Sequence, residues 1–118
     1  MKDENNPLGN IYVSHRAIAT VAYQSALQSY GVVGLAAKNL AEGLAQVLVK
    51  DPTLGVDVRL NGNTIEIDLY VIVEYGTRIK SVATSVAESI RYQVEKTFGL
   101  PVGQVNVHVR GLRISDPD

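Results

Sequence analysis

Three carboxylates, Glu66, Asp68 and Glu74, are the side chains in this sequence best suited to acid–base chemistry, and they share one alternating stretch. Carboxylates two residues apart on a strand are separated by about 6.5 to 7 Å, a spacing compatible with acid–base pairs. The exposed face of a half-buried strand is ordinarily polar, however, and no pocket is indicated around them. We therefore interpret them as a solvated strand face and not as a catalytic pair.

The two histidines, His15 and His108, are remote in sequence. Neither has a second metal ligand at helical or strand spacing, apart from Asn106 beside His108. We interpret His15 as a first-turn helix residue and His108 as an exposed strand residue near Arg110. The absence of cysteine excludes thiolate metal sites, cysteine nucleophiles and disulfides. These features predict a non-enzymatic protein without a cofactor.

The composition predicts one domain in 118 residues, with a formal net charge of -1. No field of one sign exists to attract nucleic acid or an anionic membrane. No apolar run is long enough to span a bilayer, and the opening M-K-D-E-N-N-P has no signal-peptide core. We expect a cytoplasmic protein without direct membrane insertion. Residues 1–8 form a flexible tail, residues 9–114 the domain and residues 115–118 a polar tail in this interpretation.

The stretch T-I-E-I-D-L-Y-V-I-V-E-Y-G, from Thr64 to Gly76, predicts the central strand of a sheet, because apolar and polar residues alternate along it. Its length exceeds that of an ordinary edge strand. The predicted inner side chains are Ile65, Ile67, Leu69, Val71 and Val73.

A second strand, Gly55 to Leu60, is predicted with Val56, Val58 and Leu60 inward. Two hairpin registers remain open. An Asn61-Gly62 type I′ turn has the stronger chemical signal, whereas a four-residue loop would place Arg59 opposite Glu66.

Three helices are predicted from caps and apolar spacing. The first begins after Ser14, buries Ile18, Val21, Ala22 and Ser25, and ends at Tyr30 before Gly31. The second runs from Ala36 to Val49 and is broken at Asp51-Pro52. The third is capped by Thr77, buries Ile79, Val82, Val86, Ile90 and Val94, and ends at Gly99.

Further strands are predicted at Gly9 to Val13 and at Gln104 to Arg110, the latter with Val105, Val107 and Val109 inward. Gly31 to Leu35 is either a buried turn or a short strand. The strand–helix–strand order at the end predicts a parallel crossover or a mixed sheet. The fold class is therefore α+β: a two-layer domain with a mixed sheet of three to five strands and two or three helices on one face.

An interaction surface is predicted on the other face of the sheet. Arginines, an aromatic and a branched aliphatic residue are typical of protein interfaces. Tyr70 and Ile72 interrupt a polar face, so either the chain or a partner covers them, and we favour the chain. The predicted interaction face comprises Arg59, Tyr70, Ile72, His108 and Arg110.

With these residues laid out, the chain resembles the alkaline shock protein family of Gram-positive bacteria. The resemblance rests on four motifs: G-N-I-Y-V-S, G-V-V-G-L, I-D-L-Y-V-I-V-E-Y-G and V-N-V-H-V-R-G-L. Their family-motif residues, which we interpret as structural, are Gly31, Gly34, Asp68, Tyr75, Gly76 and Asn106. The resemblance implies a cytoplasmic, non-enzymatic protein of cell-envelope homeostasis. It also implies a protein partner, either a membrane anchor protein or a kinase-like companion. The outer sheet face, by its residue types, predicts docking of a protein partner or of a second copy of the chain.

Two departures favour a short, housekeeping-type member over a stress-induced one. Gln28, Ser29 and Tyr30 stand where the family tends to carry an acidic residue, and long charged terminal extensions are absent from this sequence. The rival interpretation is a KH-like RNA-binding domain that uses the Gly31–Gly34 turn. Against it, the centre of that turn is Val-Val, without the cation that a phosphate clamp needs.

Overall fold

The structure is a computed structural model that describes residues 14–38 and 48–114. The predicted strand at Gly9 to Val13 and both predicted tails lie outside the described residues. The helices are α1 (His15–Leu27), α2 (Pro52–Gly55) and α3 (Ile79–Phe98). The strands are β1 (Val32–Leu35), β2 (Val56–Asn61), β3 (Thr64–Glu74) and β4 (Val102–Arg113).

The predicted central strand, β3, is the axis of the sheet. It pairs antiparallel with β1 and β2, and parallel with β4. Since β4 follows β3 from Ile65 to Glu74, β1 and β2 share the opposite edge of β3. The mixed sheet and the parallel crossover through α3 are therefore confirmed.

The core lies on one face of this sheet, under α1 and α3. All five predicted inner side chains of β3 have no exposed surface, and four valines and isoleucines of α3 lie against them. Burying each such side chain stabilises the fold by about 1.5 to 3 kcal/mol. The two-layer α+β architecture is confirmed. The buried α3 residues are Val82, Val86, Ile90 and Val94.

The hairpin between β2 and β3 adopts the register that sets Arg59 opposite Glu66. Pairing continues to Asn61 and Thr64, so Gly62 and Asn63 alone form the turn, with Gly62 at a φ of 65°. The Asn61-Gly62 turn is therefore wrong. Leu60, predicted inward, is 44% exposed because it is the last inward position of an edge strand before the turn.

The helix caps differ in part from the predictions. Ser14 accepts hydrogen bonds from the backbone of Arg16 and Ala17, as expected. The helix α1 ends at Leu27 and not at Tyr30. Thr77 does not cap α3, because its hydroxyl donates to the carbonyl of Glu74 at 2.7 Å.

The apolar stripes of the two long helices are narrower than predicted. Ile79, in the first turn of α3, is 42% exposed, and Val21 of α1 is half-buried. The inward valines of β4, at positions 105, 107 and 109, are also half-buried, because β4 is an edge strand.

The predicted second helix is wrong at both ends. Ala36 and Leu48 form an antiparallel bridge, and residues 39–47 lie outside the described residues. Pro52 begins the short helix α2 with Asp51 as its N-cap. Proline suits this first helical position because its missing N–H would have no partner there.

Candidate functional site

The candidate site lies on the outer face of the sheet, by which we mean the face turned away from α1 and α3. Cross-strand pairing brings its side chains together: Arg59 of β2 faces Glu66 of β3, and Tyr70 of β3 faces His108 of β4. Paired residues project from the same face of a sheet. Residues remote in sequence therefore meet here.

Asp68 is the centre of an ionic network. Its Oδ2 lies 2.6 Å from a guanidinium nitrogen of Arg59, and its Oδ1 lies 3.0 Å from Nε2 of His108. Asn106 is its register neighbour on β4. Asp68 is 9% exposed. We call Arg59, Glu66, Asp68, Asn106 and His108 the Asp68 cluster.

Arg59 also joins this cluster to the neighbouring carboxylates. Its guanidinium lies 3.2 Å from Asp57 and 3.7 Å from Glu66. Asp57 is the register partner of Asp68, so two carboxylates face each other across β2 and β3. Arg59 bridges both, and Lys38 lies 3.6 Å from Asp57, so that the opposing charges are compensated.

Burial raises the pKa of Asp68, but hydrogen bonds from His108, Arg59 and Asn106 outweigh it and hold that pKa below its ordinary value of 3.8. The hydrogen bond to Asp68 raises the pKa of Arg59. Both groups are therefore charged at neutral pH. A carboxylate whose two oxygens are bonded and whose pKa is lowered is poorly suited to exchanging protons near neutrality.

An aromatic stack adjoins the cluster. The rings of Tyr70 and His108 are stacked, with centroids 4.7 Å apart and planes inclined by 16°. The guanidinium carbon of Arg110 lies 4.7 Å from the Tyr70 centroid, a cation–π contact. Tyr70 is half-buried, whereas His108 and Arg110 are exposed. We call these three residues the Tyr70 stack.

Ile72 differs from the other residues predicted on this face, because it has no exposed surface. It pairs with Gly34 of β1, where a side chain would lie 2.9 Å from the Leu48 side chain. Leu48 therefore lies over the sheet beside Ile72. The expectation that the chain itself covers this position is confirmed, and Ile72 as an accessible contact is wrong.

Two of the family-motif glycines, Gly31 and Gly76, lie in turns where the backbone has a positive φ. Gly31 has a φ of 88°, and its carbonyl accepts a hydrogen bond from Glu74. A Cβ there would lie 2.7 Å from Val82, so only glycine fits without strain. Gly76 has a φ of 95° in the turn after β3, next to Tyr75, which is 65% exposed.

The Gly31–Gly34 segment is not a loop between two helices. Gly31 is a turn residue after α1, and Gly34 belongs to the paired strand β1. The KH-like interpretation therefore loses the loop on which it rested.

Sequence reasoning missed the ion pairs of Asp57 with Arg59 and Lys38, and the bond between His108 and Asp68. The hairpin register could have indicated Asp57, whereas no local pattern indicates a contact between strands 40 residues apart. It also missed an exposed apolar group where α1 ends and α3 begins. That group comprises Leu27, Tyr30, Tyr75 and Ile79.

A shallow cavity of about 290 Å³ adjoins that apolar group. It is lined by Tyr30, Gly76, Thr77, Arg78, Ser81, Val82 and Ser85. Within residues 14–38 and 48–114, no three histidine or acidic side chains are grouped so that they could hold a metal ion. No helix in these ranges is long and apolar enough to cross a membrane.

Comparison with known proteins gives one family and one fold. The model of the alkaline shock protein family, described as having a cell envelope-related function, matches residues 3–114. Protein YloU of Bacillus subtilis (strain 168) is 44% identical over 111 residues, which cover 92% of each chain. Protein Spy1614 of Streptococcus pyogenes serotype M6 is 32% identical, over 93% of each chain.

Among solved structures, the M250L form of the MamM CTD superimposes with a TM-score of 0.51 and 17% identity. The match covers 83% of this chain and 99% of that one. At this level of identity the likeness concerns the fold alone.

Proposed function

This protein belongs to the alkaline shock protein family, which has a cell envelope-related function. We propose that it is a non-enzymatic module that docks a protein partner on the outer face of its sheet. The Tyr70 stack is the observation that carries this proposal. An aromatic ring, an imidazole and a guanidinium lie side by side on an exposed strand face.

The contacts of the Tyr70 stack prepare it for binding. His108 is bonded to Asp68 and stacked on Tyr70, so its position is determined before a partner arrives. Side chains that are already ordered lose less conformational entropy on association. Tyrosine and arginine are also enriched among the residues that contribute most binding energy.

Arg110 differs from Arg59 in the charges around it. Arg59 lies within 4 Å of three carboxylates, whereas no ion pair in the described part of the chain includes Arg110. The Arg110 guanidinium can therefore accept a carboxylate from a partner without breaking an internal pair. An acidic side chain opposite Arg110 is the partner chemistry that this face favours.

The non-enzymatic part of the proposal is supported by the state of the outer-face carboxylates. Asp68 is bonded through both oxygens, and Glu66 lies beside the Arg59 guanidinium. Neither is arranged as a free acid or base beside a cavity.

In the cell, we place the protein in the cytoplasm, where a partner brings it to the membrane. A membrane anchor protein or a kinase-like companion would fill this role, as the resemblance to alkaline shock proteins implies. RNA is the less favoured ligand, since the formal net charge is -1 and Lys38 lies 3.6 Å from Asp57.

Affinity capture from the native cell tests the docking face. The tagged wild type is compared with a Tyr70→Ser/Arg110→Ala double variant and with a matched control, Tyr92→Ser/Lys96→Ala. The control removes an equivalent tyrosine–cation pair, 5.6 Å apart, from the exposed surface of α3. We expect the face variant to lose at least about fivefold in recovery of the partner, the scale of about 1 kcal/mol.

Circular dichroism must show that both double variants are folded. Equal loss of partner in the two variants, or retention in both, would contradict docking on the outer face. Fluorescence titration with single-stranded RNA at two salt concentrations tests the rival, because phosphate contacts make binding strongly salt-dependent.

A further inference from the structure

The outer edge of β4 is a second surface, distinct from the face that carries the Tyr70 stack. β4 pairs with β3 along one edge, and no strand of residues 14–38 or 48–114 pairs with its other edge. An unpaired strand edge presents backbone N–H and C=O groups that can bond a further strand. Proteins ordinarily protect such edges with short strands, charges or covering elements.

The opposite edge strand of the sheet, β2, has that protection. It is 6 residues long and carries Asp57 and Arg59, which are engaged in ion pairs. By contrast, β4 is 12 residues long, and its two arginines, Arg110 and Arg113, lie after residue 109. Register shifts beside Gly103 and Arg110 enclose a regular section, residues 104–109. This section is long enough for pairing.

The start of β4 is already bonded by side chains of α3. Arg91 donates to the carbonyls of Val102 and Gly103, and Glu95 accepts from the backbone N–H of Val102. These contacts protect the first residues of the strand. Within residues 14–38 and 48–114, the part of the edge without such contacts therefore begins near Gln104.

Three half-buried valines lie in the same section of β4, residues 104–109. Val105, Val107 and Val109 are half-buried, although their register partners on β3, Ile67, Leu69 and Val71, have no exposed surface. A further strand beside β4 would cover this apolar row and so stabilise the pairing.

We infer that β4 pairs antiparallel with β4 of a second copy of this chain, about a two-fold axis at Val107. Val107 then faces its own counterpart, and Val105 faces the partner's Val109. On the outer face, Asn106 lies opposite the partner's His108 and Gln104 opposite the partner's Arg110.

The charges of the facing side chains favour this arrangement over the alternative registers. In the antiparallel pair each basic side chain meets a neutral amide, and no like charges are opposed. A parallel, in-register pair would instead place Arg110 on Arg110. An axis at Asn106 would pair Arg110 with the partner's Val102, where α3 already bonds the backbone.

The pairing joins the two sheets into one, with the two Tyr70 stacks near the axis on a common outer face. It rests on the strand edge and does not depend on the identity of the docked partner. A strand edge is a small interface, so we expect micromolar dissociation.

Single cysteines test the register, because the chain contains none. In Val107→Cys the two sulfurs would face each other at a distance that a disulfide can span. In Val105→Cys, the matched control on the same row, they would be about 13 Å apart along the strands. We expect Val107→Cys to form a covalent dimer under mild oxidation at least about tenfold faster than Val105→Cys.

Sedimentation equilibrium tests the association itself. We expect a wild-type dimer at roughly 10 to 100 μM, weakened at least about tenfold by Val107→Lys, since an inward charge opposes edge pairing. Leu60→Lys, on the edge strand β2, should leave the dissociation constant of the dimer unchanged. The conservative Val107→Cys change keeps the test valid even if Val107→Lys unfolds the chain.

A wild type that stays monomeric up to about 1 mM would overturn the inference. Equal crosslinking of Val105→Cys and Val107→Cys would overturn it as well, because a specific two-fold register predicts a difference.

Discussion

The two faces of β3 differ in how far they are covered and in the interactions that cover them. On the inner face five branched side chains have no exposed surface and pack under α1 and α3. On the outer face Asp68 is nearly buried by charged and polar neighbours, whereas Tyr70 is only half-buried beside His108 and Arg110. The inner face therefore provides stability, whereas the outer face provides positioned, accessible polar groups.

The largest expected effect concerns the inner face. Ile67→Ala removes a side chain with no exposed surface from the middle of the core. We expect the free energy of unfolding to fall by about 2 to 5 kcal/mol, through lost burial and the remaining cavity. Urea denaturation measures this change. Glu66→Ala, the adjacent outer-face change, should lower the free energy of unfolding by about 0 to 1 kcal/mol. Equal losses in the two variants would contradict the assignment of stability to the inner face.

Ile72→Ala probes the one buried aliphatic position that we had expected on the accessible face. Since Ile72 is fully covered and Leu48 lies beside its register partner, a loss of about 2 kcal/mol or more is expected, as for a core position. The same denaturation measurement applies. A loss under about 0.5 kcal/mol, the scale of surface substitutions, would show that Ile72 is accessible after all.

Asp68→Asn should have an intermediate effect. The change removes the charge that Arg59 and His108 share, and hydrogen bonds to charged groups contribute about 1.5 to 3 kcal/mol. Because Arg59 remains half-exposed to water, solvent screening reduces this contribution, and we expect a loss of about 1 kcal/mol. An unchanged midpoint in urea would indicate that the Asp68 cluster organises the face without stabilising it.

The stability difference between the wild type and Asp68→Asn should depend on pH with a defined sign. The pKa of Asp68 is lower in the folded than in the unfolded chain, so its contribution is present above the ordinary value of 3.8. It is lost as pH falls through the lowered pKa. The stability advantage of the wild type over Asp68→Asn should therefore shrink as the pH falls below about 4. An advantage that grows as the pH falls below about 4 would contradict this assignment.

The smallest effect is expected for Arg110→Ala. Its exposed cation–π contact with Tyr70 is worth about 0.5 to 1 kcal/mol, so thermal unfolding should change little. Partner capture should fall far more than stability. A large loss of stability with normal partner capture would show that Arg110 stabilises the fold and does not contact the partner.

Local patterns were sufficient for β3, for most of the α3 stripe and for the cap at Ser14. Alternation along β3 and helical spacing along α3 are properties of consecutive residues, and they predict which side is buried. The predicted second helix failed at Ala36 and Leu48, where apolar spacing suited a helix but the two residues pair with each other across the chain.

Strand parity predicted which of the candidate-site residues share the outer face, but not how they contact one another. Parity along each strand placed Arg59, Tyr70, His108 and Arg110 on one face, and the structure brings them together. The exposure of Ile72 was predicted wrongly, because Leu48 lies over the neighbouring strand at a position that strand parity does not define.

By itself, the sequence determined the alternation of β3, the family motifs and the chemical types present on each strand face, since all of these depend on neighbours along the chain. Only the tertiary structure decided that Asp68 binds both Arg59 and His108, that Ile72 is covered and that the outer edge of β4 has no strand beside it in residues 14–38 and 48–114. The physical reason is that register, coverage and edge pairing depend on contacts between strands. Residues far apart in the chain make those contacts, and the packing of the whole sheet selects among them.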